Sequence, residues 1–184
     1  MLRALTIACA VSAMSFWHAG SATAQLLSAE FSLDGNSYHG RDRESTQGHR
    51  SGEVAFKYEF RSGFRLGTGF AIGKFDEPVS DPSFTMVTVF VEPSWVFRRS
   101  SRVRPFVGGR VSWEHERVGE QSGGLWAYGW GAGAIGGVGV KLGEPVSIAG
   151  RVILTRLDLE RDASSHNGLR LAAGATFALT WPIR

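Results

Sequence analysis

The chain holds a single cysteine, Cys9, and it lies close to the N-terminus. A disulfide-stapled mini-domain is thereby excluded, so packing and backbone hydrogen bonds must hold the fold. Basic residues never gather into a dense run, and the formal net charge is only +3, which argues against a nucleic-acid partner. Paired metal-ligand spacing is missing too: His39, His49, His115 and His166 are scattered over three polar segments. No cofactor is expected. Mean hydropathy is near neutral, which does not fit a helical membrane bundle. At 184 residues there is room for one domain.

What is present begins with an export signature. Arg3 supplies a positive n-region, Ala4 to Trp17 form an apolar stretch, and Ala22-Thr23-Ala24 offers an A-x-A cleavage pattern before Gln25. A transmembrane anchor would need a longer apolar run and a stop-transfer flank. Thr6-Ile7-Ala8-Cys9 faintly resembles a lipoprotein box, but it would leave too short an apolar region. The expected division is therefore a cleavable signal peptide over 1–24 and a single mature domain over 25–184. Cys9 and Arg3 leave with the signal, and the mature net charge falls to about +2 by formal counting.

From Gln25 onward the hydrophobic period is two. Leu169, Leu171, Ala173, Ala175, Phe177, Leu179 and Trp181 share one parity, and Arg170, Ala172, Gly174, Thr176, Ala178 and Thr180 the other. A strand puts these sets on opposite sides of a sheet, whereas a helix would smear them around its circumference. Val103–Glu114 and Glu53–Arg61 repeat the pattern. Strands are expected at about 26–34, 51–60, 64–75, 84–97, 102–114, 125–141, 146–156 and 168–181. Gln121–Val140 carries no charge and has the length of a membrane helix, but its many glycines would be costly in one.

Connections alternate in length. Arg61-Ser62-Gly63, Arg98–Ser101 and Leu142–Pro145 are short; Gly35–Arg50, Asp76–Ser83, His115–Gly124 and Leu157–Asn167 are longer and polar. Outer-membrane barrels show this asymmetry, with short periplasmic turns and longer external loops. Phe60, Phe64, Trp95, Phe97 and Trp181 then fall near the periplasmic edge of the apolar face, and Trp113, Trp126 and Tyr128 near the external edge. Two aromatic girdles are expected where rings meet headgroups.

The opposite parity is charged. Glu30, Asp34, Glu53, Glu59, Glu92 and Glu114 are matched in number by Lys57, Arg65, Arg104, Arg110, Arg151 and Arg170. An eight-stranded barrel is just wide enough for side chains to fill, so balanced charges are expected to pair into a plug rather than line an ion path. Inward glycines of the sixth strand are expected to leave space for the arginines.

Catalytic patterns are weak. Gly131-Ala132-Gly133-Ala134-Ile135-Gly136 fits G-x-G-x-x-G but no helix follows it. Ser164-Ser165-His166-Asn167 and Ser112–Glu116 contain hydrolase residue types in polar segments. The His-x-Ser pair of small outer-membrane lipid A deacylases is absent, so no enzymatic activity is expected. Tyr38, Arg41, Arg43 and Arg50 in the first long loop could meet lipopolysaccharide phosphates or a host surface, or simply be solvated.

Arg104-Pro105-Phe106-Val107-Gly108-Gly109 and the closing Phe177, Leu179 and Trp181 resemble a known group. The group is the small outer-membrane β-barrel-domain proteins, similar to the OmpA transmembrane domain, OmpX and opacity-type proteins. The chain departs from it by ending in Pro182-Ile183-Arg184 instead of a terminal aromatic. The resemblance covers the mature chain and implies structural, adhesive or envelope-stabilising roles, with no shared catalytic residue to carry over. The sequence thus leads to an all-β, eight-stranded antiparallel up-and-down transmembrane β-barrel in the outer membrane of a Gram-negative-type bacterium. Expected partners are outer-membrane lipids and lipopolysaccharide, with the barrel-assembly machinery and periplasmic chaperones during biogenesis. A closed barrel has no free edge, so a monomer is expected. A lipid-modifying enzyme, a narrow channel and a periplasmic ligand-binding barrel or sandwich are the other readings.

Overall fold

The computed structural model describes residues 24–40, 43–75, 84–98, 100–117, 126–161 and 164–183. Eight strands run in chain order: β1 (Ala24–Gly40), β2 (Arg43–Phe60), β3 (Phe64–Phe75) and β4 (Phe84–Val96), then β5 (Val103–Arg117), β6 (Trp126–Lys141), β7 (Val146–Arg161) and β8 (Ser164–Pro182). Each pairs antiparallel with its sequence neighbour, and β1 pairs with β8 from Leu26–Pro182 to Gly40–Gly168, closing the barrel. Every strand in the ring has two partners, so no ladder edge is left open.

Parity decides which side chains enter the lumen. On β1, Ser28, Glu30, Ser32, Asp34 and Asn36 are buried, while Leu27, Phe31 and Leu33 are exposed on the outer wall. On β4, Met86, Thr88, Phe90, Glu92 and Ser94 point inward, and Val87, Val89 and Trp95 outward. An exposed apolar wall around a polar interior is the inverse of a water-soluble protein and is the arrangement a bilayer requires. The glycine-rich segment before Lys141 is strand β6, and among the described residues no helix is long and apolar enough to cross a membrane.

Two of the expected long loops are mostly strand. β1 and β2 run on to Gly40 and from Arg43, and β7 and β8 run on to Arg161 and from Ser164. The polar composition of Leu157–Asn167 suggested a loop, but alternation continues through it. Leu157 and Leu159 turn inward and are buried, while Arg156, Asp158 and Glu160 are exposed outside. Beyond the hydrocarbon the outer wall meets water, so polar outward residues are compatible with a ladder that keeps its backbone bonds. The barrel therefore continues past its apolar band at this end. At the other end the turns are tight: Gly63 N donates to Phe60 O at 3.1 Å with Gly63 at φ 95°, and Arg98 takes φ 50°.

Candidate functional site

Among the described residues, the lumen is where the fold gathers charged groups. Inward parity on β1, β2, β3, β4, β5 and β7 brings eight charged groups into one chain of alternating sign. Asp34 binds Arg151 at 2.5 Å, and Arg151 reaches Glu53 at 2.5 Å. Glu53 also accepts from Arg110 at 2.7 Å, and Arg110 continues to Glu92 at 2.5 Å. Glu92 is paired with Lys57, which lies 3.0 Å from Glu30, and Glu30 ends the chain on Arg65 at 3.4 Å. Asp34 to Arg65 thus ties opposite walls of the barrel together.

Two further pairs lie nearer the two ends of the barrel. Near the short-turn end, Arg104 Nη2 donates to both oxygens of Glu59 at 2.6 Å. Near the long-hairpin end, Arg170 holds Glu114 through two N–H groups at 3.0 and 2.9 Å. Thr88 and Ser112 donate to the same carboxylate at 2.5 and 2.8 Å, and Glu114 is 0% exposed. Charges removed from water are tolerable only when paired and hydrogen-bonded in this way.

Aromatic rings complete the packing. The Arg110 guanidinium lies 3.8 Å from the Phe90 ring centroid, and Arg65 lies 4.8 Å from that of Phe106. Phe106 belongs to an inward apolar cluster with Val96, Ile135, Ile153 and Ala172. At the long-hairpin end, buried Met86, Leu157 and Leu159 add apolar bulk. Among the described residues three buried polar atoms lack a protein partner: Arg65 Nη2, Arg104 Nε and Thr155 Oγ1. The two arginines lie at the short-turn end, where their side chains keep 12% and 14% exposure.

Space for the charges comes from glycines, though not from those expected. Gly174 of β8 and Gly67 of β3 face Asp34 and Lys57, and a side chain at either would collide with them. The β6 glycines serve other neighbours: Gly137 accommodates the Phe106 ring, and Gly131 accommodates Ser112, Thr155 and Leu157. Parity identifies inward positions but not which wall a long side chain crosses to.

Around the outside, Trp95, Phe97, Trp181 and Tyr128 are exposed rings near the two ends, and Phe64 is half-buried. Trp113 stacks on Tyr128 at 5.9 Å and meets Trp130 edge-on at 5.0 Å, so Trp130 adds to the external group. Phe60 lies at the short-turn end of β2 in the outward phase, among neighbouring rings. It is only 8% exposed, covered by Tyr58 at 4.9 Å and Phe64 at 5.6 Å. The side chains of Trp126, Tyr38, Arg43, His49 and His166, with Arg41 and the segment 1–23, lie outside the described residues. Among the described residues no His, Cys, Asp and Glu group has the form of a metal site.

No protein-family model and no curated protein matches the sequence. Solved structures do match the fold. Neisserial surface protein A aligns at a TM-score of 0.73 with 14% identity, over 83% of this chain and 96% of that one. OprG of Pseudomonas aeruginosa aligns at 0.56 with 9% identity, over 87% and 97%. Ail, the attachment invasion locus protein of Yersinia pestis, aligns at 0.53 with 17% identity, over 85% and 100%.

Proposed function

We infer that this chain, which folds as a small eight-stranded outer-membrane β-barrel, is a non-enzymatic envelope protein: its lumen is a structural plug, and its external hairpins make its contacts. One observation carries the reading. Six acids and six bases cross-link the lumen in opposite-sign pairs, the longest linkage running from Asp34 to Arg65. Groups committed to one another across a narrow barrel favour rigidity over conduction or proton transfer. The Ser112 and Thr88 hydroxyls of this interior donate to the Glu114 carboxylate, which commits them to the same packing.

Export through the N-terminal signal, residence among outer-membrane lipids and lipopolysaccharide, and insertion by the barrel-assembly machinery belong to the same proposal. The Yersinia pestis neighbour is named for attachment and invasion. A contact role for the long hairpins here is an analogy at the level of fold.

The test has two arms. Outer-membrane fractionation with heat-modifiable gel migration establishes placement and closure. Planar-bilayer recordings of the folded protein are expected to show no steady conductance, and a deletion strain is expected to keep its lipid A pattern while losing resistance to detergent or surface attachment. Steady single-channel steps would sink the plug. A lipid A change restored by the wild type but not by a Ser or His variant would establish an enzyme instead.

A further inference from the structure

We propose that a groove on the outer wall, crossing β6, β7, β8, β1 and β2, seats an acyl chain of a phosphorylated lipid whose phosphate is held by Arg50. The groove encloses about 770 Å³, within the range of about 300–1,000 Å³ typical of small-ligand sites. Register builds it. Gly52, Leu33, Ala175 and Gly150 stand side by side in one outward row of the ladder. In the next outward row toward the short turns stand Val54, Phe31, Phe177 and Ile148. Small residues beside this taller row leave a trough, with open space over Gly52 and Gly150. Leu33, 76% exposed, rises from it as a ridge along which a flexible chain can lie. The row through Gly52 continues to Val138 and then to Pro105 near the short-turn end of β5. The groove therefore descends toward the short turns as it runs from β2 to β6. An apolar trough facing hydrocarbon takes a lipid chain.

Charge selects which lipid. Arg50 is exposed on β2, one outward row beyond Gly52, and among the described residues it is in no ion pair. It lies ten residues along β2 from Phe60 at the short-turn end. At about 3.3 Å per residue and a tilt of about 40°, that is roughly 25 Å along the barrel axis, the height of an apolar band. Arg50 therefore stands at headgroup level on the long-hairpin side, at the upper end of the groove. Its register row runs from Gly35 through Arg50, Lys74 and Thr85 to Arg117, with three bases and no acid. Arg50 and Lys74 are direct partners, and like charges opposed across a ladder are unfavourable. A lipid phosphate at this depth offsets that repulsion. A second copy of the barrel docked on the same face would instead bring more bases to it.

The proposal rests on the outer-membrane reading, which puts this end in the external leaflet. Fractionation tests that reading, whereas binding is read in detergent, so either can fail alone. The folded protein in neutral detergent is titrated with lipid A and with the same lipid stripped of its phosphates, and retained lipid is counted by native mass spectrometry. The phosphorylated form is expected to be retained at least about tenfold better at low salt, with the margin shrinking as salt rises. Arg50→Gln with Lys74→Gln is expected to abolish that margin. Gly150→Leu with Ala175→Leu fills the groove and is expected to lower retention of both forms by about fivefold. Val89→Leu, on exposed β4 wall across the barrel from β8, leaves retention unchanged. Heat-modifiable migration shows which variants are folded. If the groove variant is not, Gly52→Leu, which enters open space, takes its place. Equal retention of the two forms by the folded wild type overturns the proposal. So does an unchanged margin in the folded Arg50 and Lys74 variant, or unchanged retention in the folded groove variant. A folded dimer in neutral detergent that Gly150→Leu breaks would give the groove to a second copy and overturn it too.

Discussion

Asp34 and Arg151 meet across Gly174, which is the register partner of both, on β1 and β7 respectively. The carboxylate occupies the volume a side chain at 174 would need, so the ion pair exists because the residue between its members has none.

Gly174→Ala should therefore displace Asp34 and press on the Leu33 carbonyl, costing about 1–3 kcal/mol. Gly150, one strand over and facing outward with open space around it, makes the control. Gly150→Ala should stay within about 0.5 kcal/mol of wild type. Urea midpoints of the two variants folded in lipid vesicles decide the matter; equal midpoints would remove the packing role assigned to Gly174.

The pair at the long-hairpin end invites a second comparison. Arg170→Met leaves Glu114 fully buried with only Thr88 and Ser112 as partners, an arrangement expected to cost about 3–5 kcal/mol. Adding Glu114→Gln removes the stranded charge and should recover much of that loss. If the double variant were no more stable than Arg170→Met alone, the loss would belong to packing against Met86 rather than to charge.

The outer boundary of the apolar band can be located on β7. Val152 and Leu154 are exposed apolar residues, and Asp158 and Glu160 lie further along the same outer row. Val152→Arg should destabilise the barrel in bilayers by about 2–4 kcal/mol, whereas Glu160→Arg should cost about 0–1 kcal/mol. Comparable losses at both positions would mean that the bilayer reaches beyond the last apolar residue.

Trp113 and Trp130 meet edge-on, and a double-alanine cycle between them should return a coupling of about 0.5–1.5 kcal/mol. A coupling near zero would show that each ring interacts with lipid alone.

Much of this architecture could be read from the chain. Parity along Leu169–Trp181 separates wall from lumen, and alternating connection lengths tell the short-turn end from the long-hairpin end. The hairpin extensions were hidden because Asp158 and Glu160 look like loop residues to any reasoning that assumes an apolar outer wall throughout. Partnerships inside the lumen were hidden for a different reason. Which acid meets which base depends on the stagger between strands, so Glu53 finds Arg110 and Arg151 on walls remote in sequence. Phe60 shows the limit of parity in the other direction. It has the outward phase, yet Tyr58 and Phe64 cover it.

The seam between β1 and β8 has a temporal consequence. Leu26 lies in register with Pro182, so the ring cannot close until nearly all of the chain is present. Contacts this remote in sequence make folding slow. Opening the same seam would expose Asp34 and Arg151 together, so unfolding too must pass through stranded charge. A barrel with a high barrier in both directions persists by rate, and its lifetime in the envelope would be governed by how seldom that seam parts.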